Sequence, residues 1–149
     1  MKTVDRILRA HPRAQSLPFD EINTCTDALL GCIEACTICA DACLAEPYLD
    51  RMRRCIRANQ DCADICTATL RLIVRQTESI AEMVRQQVHA SVVACQLCAE
   101  ECERHDALHC RICAEACHRC QEACNRMLGQ ISSSGVITAE PVSSADMMQ

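Results

Sequence analysis

The sequence predicts an all-α fold: an antiparallel up-down four-helix bundle with a short N-terminal helix and a flexible C-terminal tail. Three observations predict it. Only three Gly and four Pro punctuate 149 residues, whereas the strong helix formers Ala, Leu, Arg, Gln and Glu are abundant. Aromatic side chains, which normally supply much of a core's buried area, are reduced to Phe19 and Tyr48, with no Trp. In their place stand 16 cysteines, almost all separated by three, four or seven positions, the spacing of one helix face.

Taken in order, Thr3 to Ala10 reads as a short amphipathic helix with Val4, Ile7 and Leu8 on one side, ended by His11-Pro12. Gln15 to Pro18 is a linker. A first long helix is expected from about Asp20 to Glu46, stopped by Pro47. A second runs from about Leu49 to Gln76. A third starts near Thr77, a candidate N-cap, and reaches about Arg104. A fourth starts near Asp106, another candidate N-cap, and reaches Leu128, with Gly129 as C-cap. Each spans roughly 35–42 Å at 1.5 Å per residue. The connections are short enough to force antiparallel neighbours. Residues 1–130 thus form one domain, and 131–149, with a Ser cluster, Gly135 and Pro141, form a polar tail expected to be disordered. Met147 and Met148 read as a chance terminal pair.

Each long helix carries a stripe of sulfur. The first has Cys25, Cys32, Cys36, Cys39 and Cys43. The second has Cys55, Cys62 and Cys66. The third has Cys95, Cys98 and Cys102. The fourth has Cys110, Cys113, Cys117, Cys120 and Cys124. Charged residues fall mostly on the other faces, so the thiols occupy the position a bundle core requires. Matching heights in an antiparallel bundle puts Cys43, Cys55, Cys102 and Cys110 near one end. Cys36 and Cys39 fall level with Cys62, and Cys98 with Cys113. At the other end Cys25 and Cys124 are expected to be sealed in by Leu70, Ile73, Val84 and Val88. The first end has His105 and His109 instead of a plug. Leu29 and Ser91 interrupt the stripes where a cysteine would continue them.

The chain shows no secretory h-region and no stretch apolar enough to span a membrane. A cytoplasmic location, where thiols stay reduced, is therefore expected. A net charge of −5 provides no basic footprint for nucleic acid or an anionic membrane.

Such a packed set of thiols suits a soft monovalent ion, and Cu(I) matches thiolate best. If each thiolate bridges two ions and each ion takes two thiolates, capacity is on the order of one Cu(I) per cysteine. Each bound cation then offsets one deprotonated thiol, so loading releases protons and leaves no buried net charge. Zinc prefers closed four-ligand sites and would leave a double negative charge on each set of four thiolates. Iron–sulfur proteins use loop-borne runs closed by Cys-Pro, which is absent here. Two alternatives remain open: a zinc or iron–sulfur scaffold, and a thiol redox or peroxide-sensing protein. The latter needs an exposed low-pKa thiol at a helix N-terminus, for which Cys110 is the candidate. His11, His89 and His118 read as structural, and Asp61 and Asp64 as solvated or ion-paired.

The runs CADACLAE (Cys39 to Glu46), DCADIC (Asp61 to Cys66), CAEECER (Cys98 to Arg104) and HCRICAEACHRCQEAC (His109 to Cys124) resemble the bacterial copper storage proteins, in particular the cytosolic branch. The resemblance covers roughly Met1 to Leu128. It implies a cysteine-lined bundle, a homotetramer, Cu(I) held by the 16 cysteines, and His105 and His109 as mouth groups that assist loading. Copper donors or acceptors such as chaperones would be its partners. Asn59, four residues after Cys55, stands where a carboxylate could aid loading in relatives.

Overall fold

The structure, a computed structural model, describes residues 2–131. A short helix α1 (Thr3–Arg9) precedes four long ones: α2 (Phe19–Leu44), α3 (Leu49–Ile73), α4 (Ala81–Glu103) and α5 (Leu108–Gln130). Each long helix packs on its neighbour in sequence, and α5 returns to α2, closing a ring around one core. The expected up-down bundle is the observed one. The proposed tail lies outside the described residues except for Ile131, which is buried. Met147 and Met148 lie outside the described residues.

The helix ends depart from expectation, for a common reason. None of the described helices is capped by a side chain at its N-terminus. Thr77 does not cap α4. It sits in the connection after α3, its hydroxyl 3.4 Å from His11 Nε2. Glu78, in the left-handed region at φ 55°, redirects the backbone there, and the helix starts only at Ala81. Asp106 likewise is not the cap of α5. Ala107 holds that position, and Asp106 faces Arg111 at 3.6 Å. Gly129 lies inside α5, which continues through Gln130. Acidic residues nevertheless occupy the first turns of α2 (Asp20, Glu21), α3 (Asp50) and α4 (Glu82), where they complement the helix dipole.

The N-terminal segment is fastened to the bundle. Leu8 is buried, Asn23 donates to Asp5 across 3.1 Å, and Arg9 stacks over the Phe19 ring at 5.0 Å. The Lys2–Asp27 pair at 2.8 Å joins two exposed side chains and adds little.

Ile22, Leu29, Ile73, Val84, Val88 and Met127 are all buried at the Cys25/Cys124 end, forming the expected hydrocarbon seal. Leu70 is only half-buried. Thr69 takes its place in the core, because the step of three from Cys66 stays on the stripe and the step of four does not at this point.

Candidate metal centre

All 16 cysteines are reduced and buried, none more than 2% exposed. The helical stripes place them on the bundle axis, where thiols from different helices lie 3.6–3.9 Å apart. A disulfide would need about 2.05 Å. These are packed thiols, near enough to share a soft ion.

The sulfurs form overlapping groups. Cys32, Cys62, Cys66 and Cys95 make one. Cys32, Cys36, Cys62 and Cys117 make the next, and Cys36, Cys98, Cys113 and Cys117 the third. Cys39 joins Cys102 and Cys113, and it also joins Cys43, Cys110 and His109. Neighbouring groups share members, so a row of thiols runs from the middle of the bundle to one end. Cys55 reaches this row through Cys102, 3.7 Å away. Cys120 meets Cys66, Cys95 and Cys32, and Cys124 connects Cys120 with Cys25. The heights differ from expectation in one place. Cys62 lies 3.7 Å from Cys32 and groups with Cys36, one step deeper than Cys39.

Asn59 occupies the level beside Cys39. It is fully buried. Its Oδ1 accepts from the thiols of Cys98 and Cys113, both at 3.1 Å, and lies 3.7 Å from Cys102. Its Nδ2 faces Cys55 Sγ at 3.6 Å. One amide therefore touches thiols from three helices.

The two histidines diverge. His109 Nδ1 is 3.3 Å from Cys39 Sγ and 3.6 Å from Cys110 Sγ, and its Nε2 is 2.9 Å from Glu46 Oε1. His105 faces Glu101 at 3.3 Å, and it joins none of the sulfur groups. The bundle thus brings one of the two expected histidines to the sulfurs. His118 pairs outward with Glu103, His89 is exposed and His11 half-buried, and Asp61 and Asp64 are exposed, all away from the stripe.

Mutual contact sets the acidity of the thiols. A thiol that donates to a sulfur neighbour holds its proton; the sulfur that accepts becomes more acidic. Hydrogen bonds from Cys117, Cys120 and again Cys120 bring Cys62, Cys66 and Cys124 down to about 7, 6 and 5 respectively. Cys32 and Cys39 are lowered too, chiefly by Cys117 and Cys102. Burial pushes Cys43 up to about 11. Burial, then repulsion from Cys39, also raises Cys110. Sulfur neighbours raise Cys25, Cys36, Cys55, Cys95, Cys98, Cys102 and Cys120. Cys110, the candidate for a reactive redox thiol, is therefore both fully buried and less acidic than free cysteine, the opposite of what that chemistry needs. His109 is raised: burial opposes its charged form, but the contacts with Cys39 and Glu46 outweigh that together.

Three features went unforeseen. In the sequence Glu46 reads as a helix end, with no local pattern pairing it with His109. The spacing of Asn59, four residues after Cys55, puts it on the stripe but does not show it as a junction of four thiols. The Thr69–Ser91 hydroxyl pair, 2.6 Å apart and fully buried, closes the sulfur row on α3 and α4. Ser91 was visible as an interruption, and the periodicity after Cys66 carried the signal for Thr69.

Comparison with known proteins agrees with this arrangement. Residues 19–129 match the family model of the copper storage proteins. A copper storage protein from Streptomyces lividans, loaded with 10 copper equivalents, superposes with a TM-score of 0.80 at 41% identity, covering 85% of this chain and 98% of that one. The cytosolic copper storage protein from Streptomyces lividans holding five coppers gives 0.74 at 42% identity, over 76% and 96%. The Cu(I)-bound copper storage protein BsCsp3 gives 0.65 at 33% identity, over 72% and 98%. An uncharacterised cysteine-rich protein of Bacillus subtilis, YhjQ, is 34% identical over 103 residues, 69% of this chain and 92% of its own length. With its sulfur-lined ring of four helices, the chain belongs to the copper storage protein family.

Proposed function

We propose that the protein sequesters multiple Cu(I) ions along the sulfur row and loads them at the end carrying Cys39, Cys43, Cys110 and His109. The single observation that supports this best is the sharing of thiols between neighbouring groups. Shared thiolates bridge monovalent ions while keeping charge balanced. Four-thiolate zinc sites would instead compete for the same sulfurs and accumulate buried negative charge.

In this reading all 16 cysteines are ligands. His109 is the mouth ligand, and His105 assists from outside the sulfur set. The protein acts by holding ions rather than by turning over a substrate. The cytoplasm is its compartment. The cytosolic Streptomyces relative supports this, and no described helix is long and apolar enough to cross a membrane. A homotetramer is the proposed assembly. Its support is the resemblance, together with a groove between α3 and α4 that exposes Val93 and Leu97. A copper chaperone is the proposed donor or acceptor.

Anaerobic titration of the reduced apoprotein with Cu(I) against a competing chelator tests the proposal. Binding is expected to saturate near one ion per cysteine, on the order of 16, with release of protons. Saturation at one or two ions would sink the storage reading.

A further inference from the structure

A histidine offered to a metal has two ring nitrogens, and the bond made by one decides what the other can do. At the mouth, His109 turns Nδ1 to the sulfurs, 3.3 Å from Cys39 and 3.6 Å from Cys110. Nε2 points away, 2.9 Å from the Glu46 carboxylate. A carboxylate at neutral pH only accepts, so Nε2 must carry the hydrogen. In the neutral ring Nδ1 is then left with a lone pair.

The carboxylate is itself held. The Glu46 backbone N–H bonds the Cys43 carbonyl at 3.2 Å, which ties it to the last turn of α2. Pro47 follows at once and restricts its backbone to extended values. Both side chains are a quarter to a third exposed, at 26% for His109 and 33% for Glu46. The pair therefore sits at the boundary between solvent and the buried thiols. The other mouth histidine lacks this geometry: His105 meets Glu101 only at 3.3 Å and joins no sulfur group.

We propose that Glu46 is the positioning residue of the mouth, fixing the His109 ring and its Nε2–H tautomer so that Nδ1 faces Cys39, Cys43 and Cys110 with a free lone pair for incoming Cu(I). This rests on the reading of the protein as a Cu(I) store. Without Glu46 the ring flips and shares its hydrogen between the two nitrogens. In the wrong tautomer an N–H points at the sulfurs and blocks the ligand position. Partners of this kind are worth about 10–100-fold in metal affinity or activity where they have been removed.

Two measurements test it. Nitrogen-15 NMR of the reduced apoprotein reads the His109 tautomer without any metal. Anaerobic stopped-flow mixing with one Cu(I) per chain reads capture of the first ion. At a pH where the ring is neutral, wild type is expected to show the Nε2–H tautomer. Glu46→Ala should show a mixture and slow first-ion capture by about tenfold. Glu46→Gln, whose amide oxygen still accepts from Nε2, should restore both. In a His109→Ala background Glu46→Ala should add no further slowing, because its effect runs through the ring. An unchanged tautomer in Glu46→Ala, a Glu46→Gln variant as slow as Glu46→Ala, or a second slowing in the His109→Ala background would each overturn the proposal. Failure of the storage reading shows separately, as wild-type protein that saturates after one or two ions.

Discussion

The two ends of the bundle are built on the same helical stripes, yet they treat buried polar groups in opposite ways. At the mouth, Asn59 Oδ1 accepts from thiols and His109 Nδ1 lies within reach of them. At the closed end, Thr69 and Ser91 satisfy each other across 2.6 Å. Thr69 is bound further by the Ile65 carbonyl at 2.9 Å and by Gln87 Nε2 at 3.1 Å. Polar atoms near the mouth are therefore partnered mainly by thiols, and those at the closed end by one another. Beyond them lie Leu29, Ile73, Val84 and Val88. Acidity does not follow this axis: Cys39 is lowered at the mouth, and Cys25 and Cys120 are raised at the closed end. The thiols brought to about 7, 6 and 5, namely Cys62, Cys66 and Cys124, lie in the middle and closed parts. At the mouth, Cys43, Cys55, Cys102 and Cys110 are all raised. Polarity alone does not define a metal site; what matters is whether the partners of the polar atom are thiols.

The largest expected effect is on stability against pH, since it sums over many thiols. Nine thiols have a folded-state pKa above the ordinary value of 9.0. Their contribution is fully present below pH 9 and is lost as pH rises further, because the unfolded chain sheds protons that the folded one keeps. The thiols lowered by their neighbours contribute a constant above pH 9 and do not offset this loss. The thiols titrate as a coupled set, so the loss shows as one decline rather than thiol by thiol. Anaerobic urea unfolding of the reduced apoprotein at pH 8, 9 and 10 should show the decline, and the copper-loaded protein, whose thiolates carry no proton, should not. A flat apoprotein profile would mean that the thiols ionise freely at both ends.

Next in size is the difference between the two histidines. His109→Ala is expected to slow the first phase of Cu(I) loading by about tenfold or more. His105→Ala should change it far less, because that ring faces Glu101 rather than sulfur. Equal slowing in stopped-flow traces would erase the distinction between them.

The smallest effect concerns the buried polar residues. Thiols are weak donors, so Asn59→Leu should leave the unfolding midpoint of the apoprotein unchanged or raised, while weakening capture of the first ions in chelator competition. Thr69→Val removes a satisfied hydroxyl and should cost about 1 kcal/mol of stability with no change in Cu(I) affinity. If Thr69→Val weakened copper binding, the closed end would belong to the metal path after all.

The sulfur stripes and the bundle were legible in the sequence because helical periodicity alone decides which face a cysteine occupies, and Cys32, Cys62, Cys95 and Cys117 met as their spacing required. The helix starts were not, because capping by Thr77 or Asp106 is one of several ways to satisfy free backbone N–H groups, and none of the described helices uses a side chain for it. Height matching set Cys62 level with Cys36, as observed, but also with Cys39, one step too far, since a few residues of uncertainty at helix ends equal one step of the stripe. The Glu46–His109 contact joins residues 63 positions apart and depends on how the turn before α3 folds, which no local pattern encodes.

The overlap between neighbouring sulfur groups has a consequence for how such a chamber empties. A row of shared ligands with one accessible end behaves as a stack. Ions held in it would move by exchanging one thiolate at a time, and those deepest, beside Cys25 and Cys124, would depart only after the positions above them are vacated. The newest copper would then be the first released, and the oldest would serve as a reserve drawn on last.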